Sequence, residues 1–125
     1  VNKKYRGIRV YESGEIVITA KLAKSMDLHP GDKVAIFKEK NPHSCEELYL
    51  AKSETGIKVR QRRNRGNQRT CCIYSKQYAE TILKGDEKGI YRIGEKVNKN
   101  GVDYFTIIYK RNYGNKIQGN NTPSL

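Results

Sequence analysis

Residues 60–69 read Arg60-Gln61-Arg62-Arg63-Asn64-Arg65-Gly66-Asn67-Gln68-Arg69, with no acid among them. Arginine forms charge-assisted, often bidentate bonds to phosphate and can also reach guanine edges. The amides of Gln61, Asn64, Asn67 and Gln68 can add contacts to bases or backbone. Gly66 lets the segment fold tightly against a groove. The bland alternative is a solvated loop, basic for solubility. A like-charged cluster of this density repels itself, however, and phosphate contact would remove that cost and release counterions. Nucleic-acid binding is the chemistry this spacing favours. A second basic-aromatic stretch, Tyr109-Lys110-Arg111-Asn112-Tyr113, could stack single-stranded bases on tyrosine. Equally, it could be a strand end with half-buried tyrosines.

Other chemistry has less behind it. The chain has 2 histidines and 3 cysteines. His29 falls in a Pro-Gly turn and His43 in a Pro-containing loop, where exposed turn residues are the ordinary expectation. His43 and Glu46 could form the acid–base pair of a small basic ribonuclease, although that spacing is common. His29, His43, Cys45 and Cys71 could be assembled into a zinc site only on paper. No cofactor is expected. Cys71 and Cys72 would point to opposite faces of a strand, a poor arrangement for a bridge, so reduced thiols in a cytoplasm are expected. Cys72 reads as core filling, since nothing basic is placed to lower its pKa. No catalytic residue is assigned.

The charge supports a polyanionic partner and gives it a location. With 25 Lys+Arg against 13 Asp+Glu, the formal charge is +12. Residues 56–70 hold Lys58, Arg60, Arg62, Arg63, Arg65 and Arg69 and no acids, which is half of that excess. No apolar window is long enough to span a membrane. The start, Val1-Asn2-Lys3-Lys4-Tyr5-Arg6, has no apolar run behind it, so no secretory signal is expected.

The elements that must carry these residues are mostly strands. Gly7-Ile8-Arg9-Val10-Tyr11 alternates and stops at the turn residues Glu12-Ser13-Gly14, and β-branched Ile16-Val17-Ile18 reads as a buried strand. Thr19 caps a helix expected to reach about Leu28, ended by His29-Pro30-Gly31-Asp32. Strands follow over Lys33–Phe37 and Leu48–Ala51, with a loop at Asn41–Ser44 between them.

The second half repeats the plan. Gly56-Ile57-Lys58-Val59 echoes the first strand. A shift of 56 residues lays Ile16, Val17 and Ile18 on Cys72, Ile73 and Tyr74, and Thr19 on Ser75. The same shift lays Val34 on Ile90, which reads as an internal duplication. The copies differ most in the first turn, where the second carries the Arg-rich insertion. Two halves, 1–55 and 56–113, are expected to form one domain, followed by a polar tail over 114–125 with little to bury.

Together, Gly7-Ile8-Arg9-Val10, the turn closing in Gly14, Ile16-Val17-Ile18-Thr19 and Leu28-His29-Pro30-Gly31-Asp32-Lys33-Val34 resemble the AbrB/SpoVT swapped-hairpin family. The resemblance covers roughly residues 5–52, with a fainter copy over 56–110, and the tandem arrangement looks like the MraZ branch. It implies a mostly-β barrel with two short helices and an internal pseudo-two-fold, with a double-psi β-barrel as the near alternative. It also implies a DNA-binding regulator or antitoxin-like repressor, whose DNA contacts come from arginines on the first strand and its turn. The matching positions are Arg6 and Arg9 in the first copy and Lys58 and Arg60 in the second. Arg62, Arg63, Arg65 and Arg69 lie in the insertion and have no family counterpart. Two departures stand out. Thr19-Ala20 replaces the usual proline, and Glu12 and Glu15 occupy the first turn where a basic residue is typical. Duplex DNA is the expected partner, with RNA binding or RNA processing, or a module for an acidic protein, as rivals. The two copies could complete one barrel alone or exchange hairpins within a homo-oligomer.

Overall fold

The computed structural model describes residues 6–40, 46–61 and 70–108. The alternating segments form strands where the pattern predicts them: β1 (Gly7–Tyr11), β2 (Glu15–Ile18), β3 (Lys33–Lys40) and β4 (Glu46–Lys52). The first helix, α1 (Ala20–Ser25), begins where Thr19 accepts a hydrogen bond from the Leu22 N–H. It stops short of Leu28 because Asp27 turns left-handed at φ 53°, and the Leu28 N–H then closes back on the Ala23 carbonyl at 2.9 Å. The second half contributes β5 (Ile57–Lys58), β6 (Arg60–Gln61), β7 (Cys71–Tyr74), α2 (Lys76–Leu83, capped by Ser75), β8 (Lys88–Lys99) and β9 (Val102–Ile108).

All pairings among the described strands are antiparallel, in the order β5-β3-β4-β9-β8-β1-β2-β7-β6. The two ends of that order, β5 and β6, are one stretch of chain interrupted at Val59. The sheet therefore curls into a nearly closed, barrel-like form without long free edges. At the junction the Gly31 N–H donates to the Val59 carbonyl (2.9 Å) and the Val59 N–H to the Asp32 carbonyl (2.7 Å). The Pro30-Gly31-Asp32 turn thus does more than end a helix: it seats the residue on which the sheet closes.

The pairing pattern is unchanged when the two halves are exchanged. β1 pairs β2 as β6 pairs β7, β3 pairs β4 as β8 pairs β9, and β1 pairs β8 as β5 pairs β3. The β2–β7 and β4–β9 seams join the halves. Each half's first hairpin consequently lies against strands of the other half. The match between the halves is not uniform. Thr19 and Ser75 correspond as caps, but the strands before them slip by one residue. Ile16 and Ile18 enter the core, and so do Cys71 and Ile73, whereas Tyr74 is exposed. Tyr74 is thus an extra residue between strand and cap, and the expected overlay of Ile16 on Cys72 does not hold.

The core gathers Ile8, Val10, Ile16, Ile18, Leu22, Leu48, Leu50, Ile73 and Ile82, all essentially without solvent contact. Each such aliphatic side chain contributes about 1.5–3 kcal/mol by burial. β8 runs on past its pairing with β1, its ladder with β9 shifts register between Ile93 and Lys96, and it returns as β9 over Asn100-Gly101, both at positive φ (55° and 84°). That pair of conformations suits a two-residue hairpin turn. Among the described residues, no helix is long and apolar enough to cross a membrane. The expected loop at 41–44 and the tail at 114–125 lie outside the described residues.

Candidate nucleic-acid interface

With Ile8, Val10, Ile16, Ile18, Cys71 and Ile73 committed to the core, strand alternation turns Arg9, Val17, Cys72 and Arg60 to the outer face. These four form one lateral row. Arg9 pairs with Val17, Val17 with Cys72, and Cys72 with Arg60. The two arginines therefore stand symmetrically about the β2–β7 seam, their backbones three strand spacings or roughly 14 Å apart. Val17 and Cys72 are buried although they face away from the core.

The neighbouring row adds aromatic and basic groups. Glu15 pairs with Tyr74, whose hydroxyl donates to Glu15 Oε2 at 3.3 Å. The Arg60 guanidinium lies 5.6 Å from the centroid of the Tyr74 ring, a cation–π contact that orients it over the face. Lys88 pairs with half-buried Tyr11, and Arg92 pairs with Gly7. Lys58 lies directly opposite Lys33, both exposed. Like charges facing each other across a ladder cost stability unless an anion joins them. Among the described residues, none of Arg6, Arg9, Lys58, Arg60, Lys88 and Arg92 has an ion-pair partner. The buried Arg9 Nε and the buried Thr70 hydroxyl have no hydrogen-bond partner among the described residues. Arg6 is half-buried where the chain enters β1, its carbonyl accepting from the Ile93 N–H at 3.0 Å.

Of the residues singled out by sequence, Arg9 and Arg60 share one row, with Lys58 just before the Val59 junction and Arg6 just before β1. Arg62, Arg63, Arg65 and Arg69 lie outside the described residues, in the connection between β6 and β7. Sequence reasoning missed Lys88, Arg92, Tyr11 and Tyr74. Their membership follows from which strands are neighbours, and single-strand alternation carries no sign of that.

The alternatives can be placed as well. Glu46 sits between Lys84 and Lys38 (3.3 and 3.7 Å), and the Lys84 hydrogen bond foremost holds its carboxyl below the usual glutamate range. A general acid needs the opposite displacement. His43, its suggested partner, lies outside the described residues, as do Cys45 and the Tyr109–Tyr113 stretch. Exposed His29 bonds Asp27 at 3.0 Å. Among the described residues, no group of His, Cys, Asp and Glu is arranged to hold a metal. Cys71 faces the core and burial pushes its thiol pKa up, away from a reactive thiolate. Cys72, expected as core filling, is buried on the other face, between the two arginines of the row. No protein-family model matches this sequence, and no curated protein or solved structure matches it.

Proposed function

We propose that this chain is a DNA-binding protein of the swapped-hairpin type, a transcriptional regulator or antitoxin-like repressor that grips duplex DNA with the outer face of β1, β2, β7 and β6. The observation that carries this reading is the Arg9–Val17–Cys72–Arg60 row. It presents two arginines without ion-pair partners among the described residues, one from each half, on a face that also bears Lys88 and Arg92. The Arg62–Arg69 segment springs from the same hairpin and supplies the most concentrated charge in the chain. Phosphate contacts would satisfy these cations and release counterions, while an arginine entering a groove can bond guanine in two places. The interleaved hairpins favour the swapped-hairpin topology and an internal pseudo-two-fold. A cytoplasmic location accords with the unbridged Cys71 and Cys72.

The halves divide the work unequally in this proposal. Glu12 and Glu15 lower the charge of the first hairpin, and the second hairpin dominates. Salt-titrated anisotropy on duplex DNA, single-stranded RNA and an acidic protein tests it. Duplex DNA should bind tightest, and Arg62→Ala/Arg63→Ala should weaken binding and flatten the salt slope by roughly 0.9 per lost phosphate contact. Arg60→Ala should cost more than Arg9→Ala. Unchanged duplex affinity and slope in the Arg62/Arg63 variant would overturn the proposal, as would tighter binding of RNA or the acidic protein.

A further inference from the structure

The side of the barrel remote from the arginine row is of different character. The β4–β9 seam lies across the sheet order from the β2–β7 seam, with β8 and β1 between them in one direction and β3 and the short β5 and β6 in the other. On its outer face Phe37, Tyr49 and Tyr104 interlock edge to face, with centroids 5.4 Å apart for Phe37–Tyr104 and 6.3 Å for Tyr49–Tyr104. Val97 pairs with Tyr104 beside them. Of the exposed large apolar side chains, Phe37 (36%), Val97 (43%), Val102 (36%) and Ile108 (46%) all belong to this face. Core packing does not require an apolar surface here, and one this concentrated marks an interaction site.

We propose that this face joins two copies of the chain, back to back, in a two-fold dimer. The charge distribution selects the occupant. A chain of formal charge +12 repels its own kind over most of its surface. Around the aromatic cluster, however, the described residues Glu39, Glu47 and Glu95 offset most of the charge of Lys99 on the face and of Lys33, Lys58 and Arg92 at its borders. Lys99 and Glu39 are already 3.7 Å apart. Among the described residues, this is where two copies meet the least like charge. Glu39 and Glu47 lie on β3 and β4, and Glu95 and Lys99 on β8, so the face carries both signs. A surface of mixed sign can meet its own copy across a two-fold axis, as a self-complementary interface requires. Among the described residues, nucleic acid would find little excess positive charge here, and an acidic protein little electrostatic reason to prefer it. The facing sheets would stack about 10 Å apart with their aromatic rings between them.

Sedimentation equilibrium on the nucleic-acid-free full chain tests this at 0.15 M salt over a wide concentration range. A monomer–dimer equilibrium is expected. Phe37→Lys and Val97→Lys, both at exposed positions, should each raise the dimer Kd at least about tenfold. Their circular dichroism should stay that of the parent. Ile90→Lys, at a still more exposed apolar position beside Arg9, should leave the dimer intact. Should Phe37→Lys unfold, Glu47→Lys replaces it, because this rim charge reversal takes the acceptor from the Tyr49 hydroxyl but keeps every ring of the cluster. A mass that stays monomeric at every concentration overturns the proposal. So does a dimer indifferent to Val97→Lys and to whichever of Phe37→Lys and Glu47→Lys folds.

Discussion

Thr19 holds two parts of the fold at once. Its hydroxyl oxygen accepts from the Leu22 N–H (3.3 Å), capping α1, and from the Gly7 N–H (3.1 Å), fixing the start of β1. Ser75, in the corresponding place before α2, accepts from the Tyr78 N–H at 3.1 Å. Removing an N-cap oxygen costs about 1 kcal/mol. Thr19→Ala also strips the partner from the N–H of buried Gly7, worth about another 1–2 kcal/mol. The Thr19 variant should therefore lose about 2–3 kcal/mol, and Ser75→Ala about 1 kcal/mol. In a domain of this size that separates the two melting temperatures by roughly 5–10 °C. Urea unfolding followed by far-ultraviolet circular dichroism measures both, with Thr19→Ser as the control that keeps the oxygen. If Ser75→Ala costs as much as Thr19→Ala, or Thr19→Ser as much as Thr19→Ala, the assignment of two roles to one hydroxyl is wrong.

Other outcomes follow from the same geometry. A Cβ at Gly56 would sit 2.2 Å from the Val34 carbonyl oxygen, a backbone atom that cannot step aside, so Gly56→Ala should destabilise by about 2 kcal/mol or more. Its signature is a lowered urea midpoint at unchanged m-value. Asp32 accepts from the His29 N–H at 2.9 Å and lies 3.5 Å from the Lys52 ammonium; the His29 bond foremost depresses its pKa from the ordinary 3.8. A depressed carboxylate stabilises the fold above that value, and the contribution disappears as pH falls through the lower folded-state pKa. The acid limb of the stability curve should accordingly be shallower in Asp32→Asn. Tyr74 orients Arg60 through its ring, so Tyr74→Leu and Arg60→Ala should be non-additive in duplex-DNA affinity, whereas Tyr74→Leu and Arg9→Ala should add. Equal additivity in both pairs, measured by double-mutant cycle, would remove Tyr74 from the interface.

Local rules account for much of what folds here. β1, β2, β3 and β4 lie where alternation and β-branching point, and Thr19 and Ser75 cap the helices as their side chains allow. The slip at Tyr74 was hidden because Cys71-Cys72-Ile73-Tyr74 is apolar throughout, and such a run does not say which residues face the core. The splitting of the second half's first strand was equally illegible. Val59 leaves one partner for another only because the Gly31–Asp32 backbone waits for it, a contact between residues far apart in the chain. For the interface, the arginines were legible by type. Their lateral alignment, and the company of Lys88 and Tyr74, depend on strand order, which no local pattern encodes.

The interleaving of the hairpins also dictates when the barrel can form. β1 takes its outer neighbour from Lys88–Arg92 and β2 from Cys71–Tyr74, so the first hairpin to leave the ribosome has no lasting partners until most of the chain has followed. Assembly must wait on contacts distant in sequence, which predicts slow folding for a protein this small. It also makes each half the other's template. Two fragments cut between Lys52 and Gly56 should be unstructured apart and reconstitute when mixed, with the nick falling in an exposed turn.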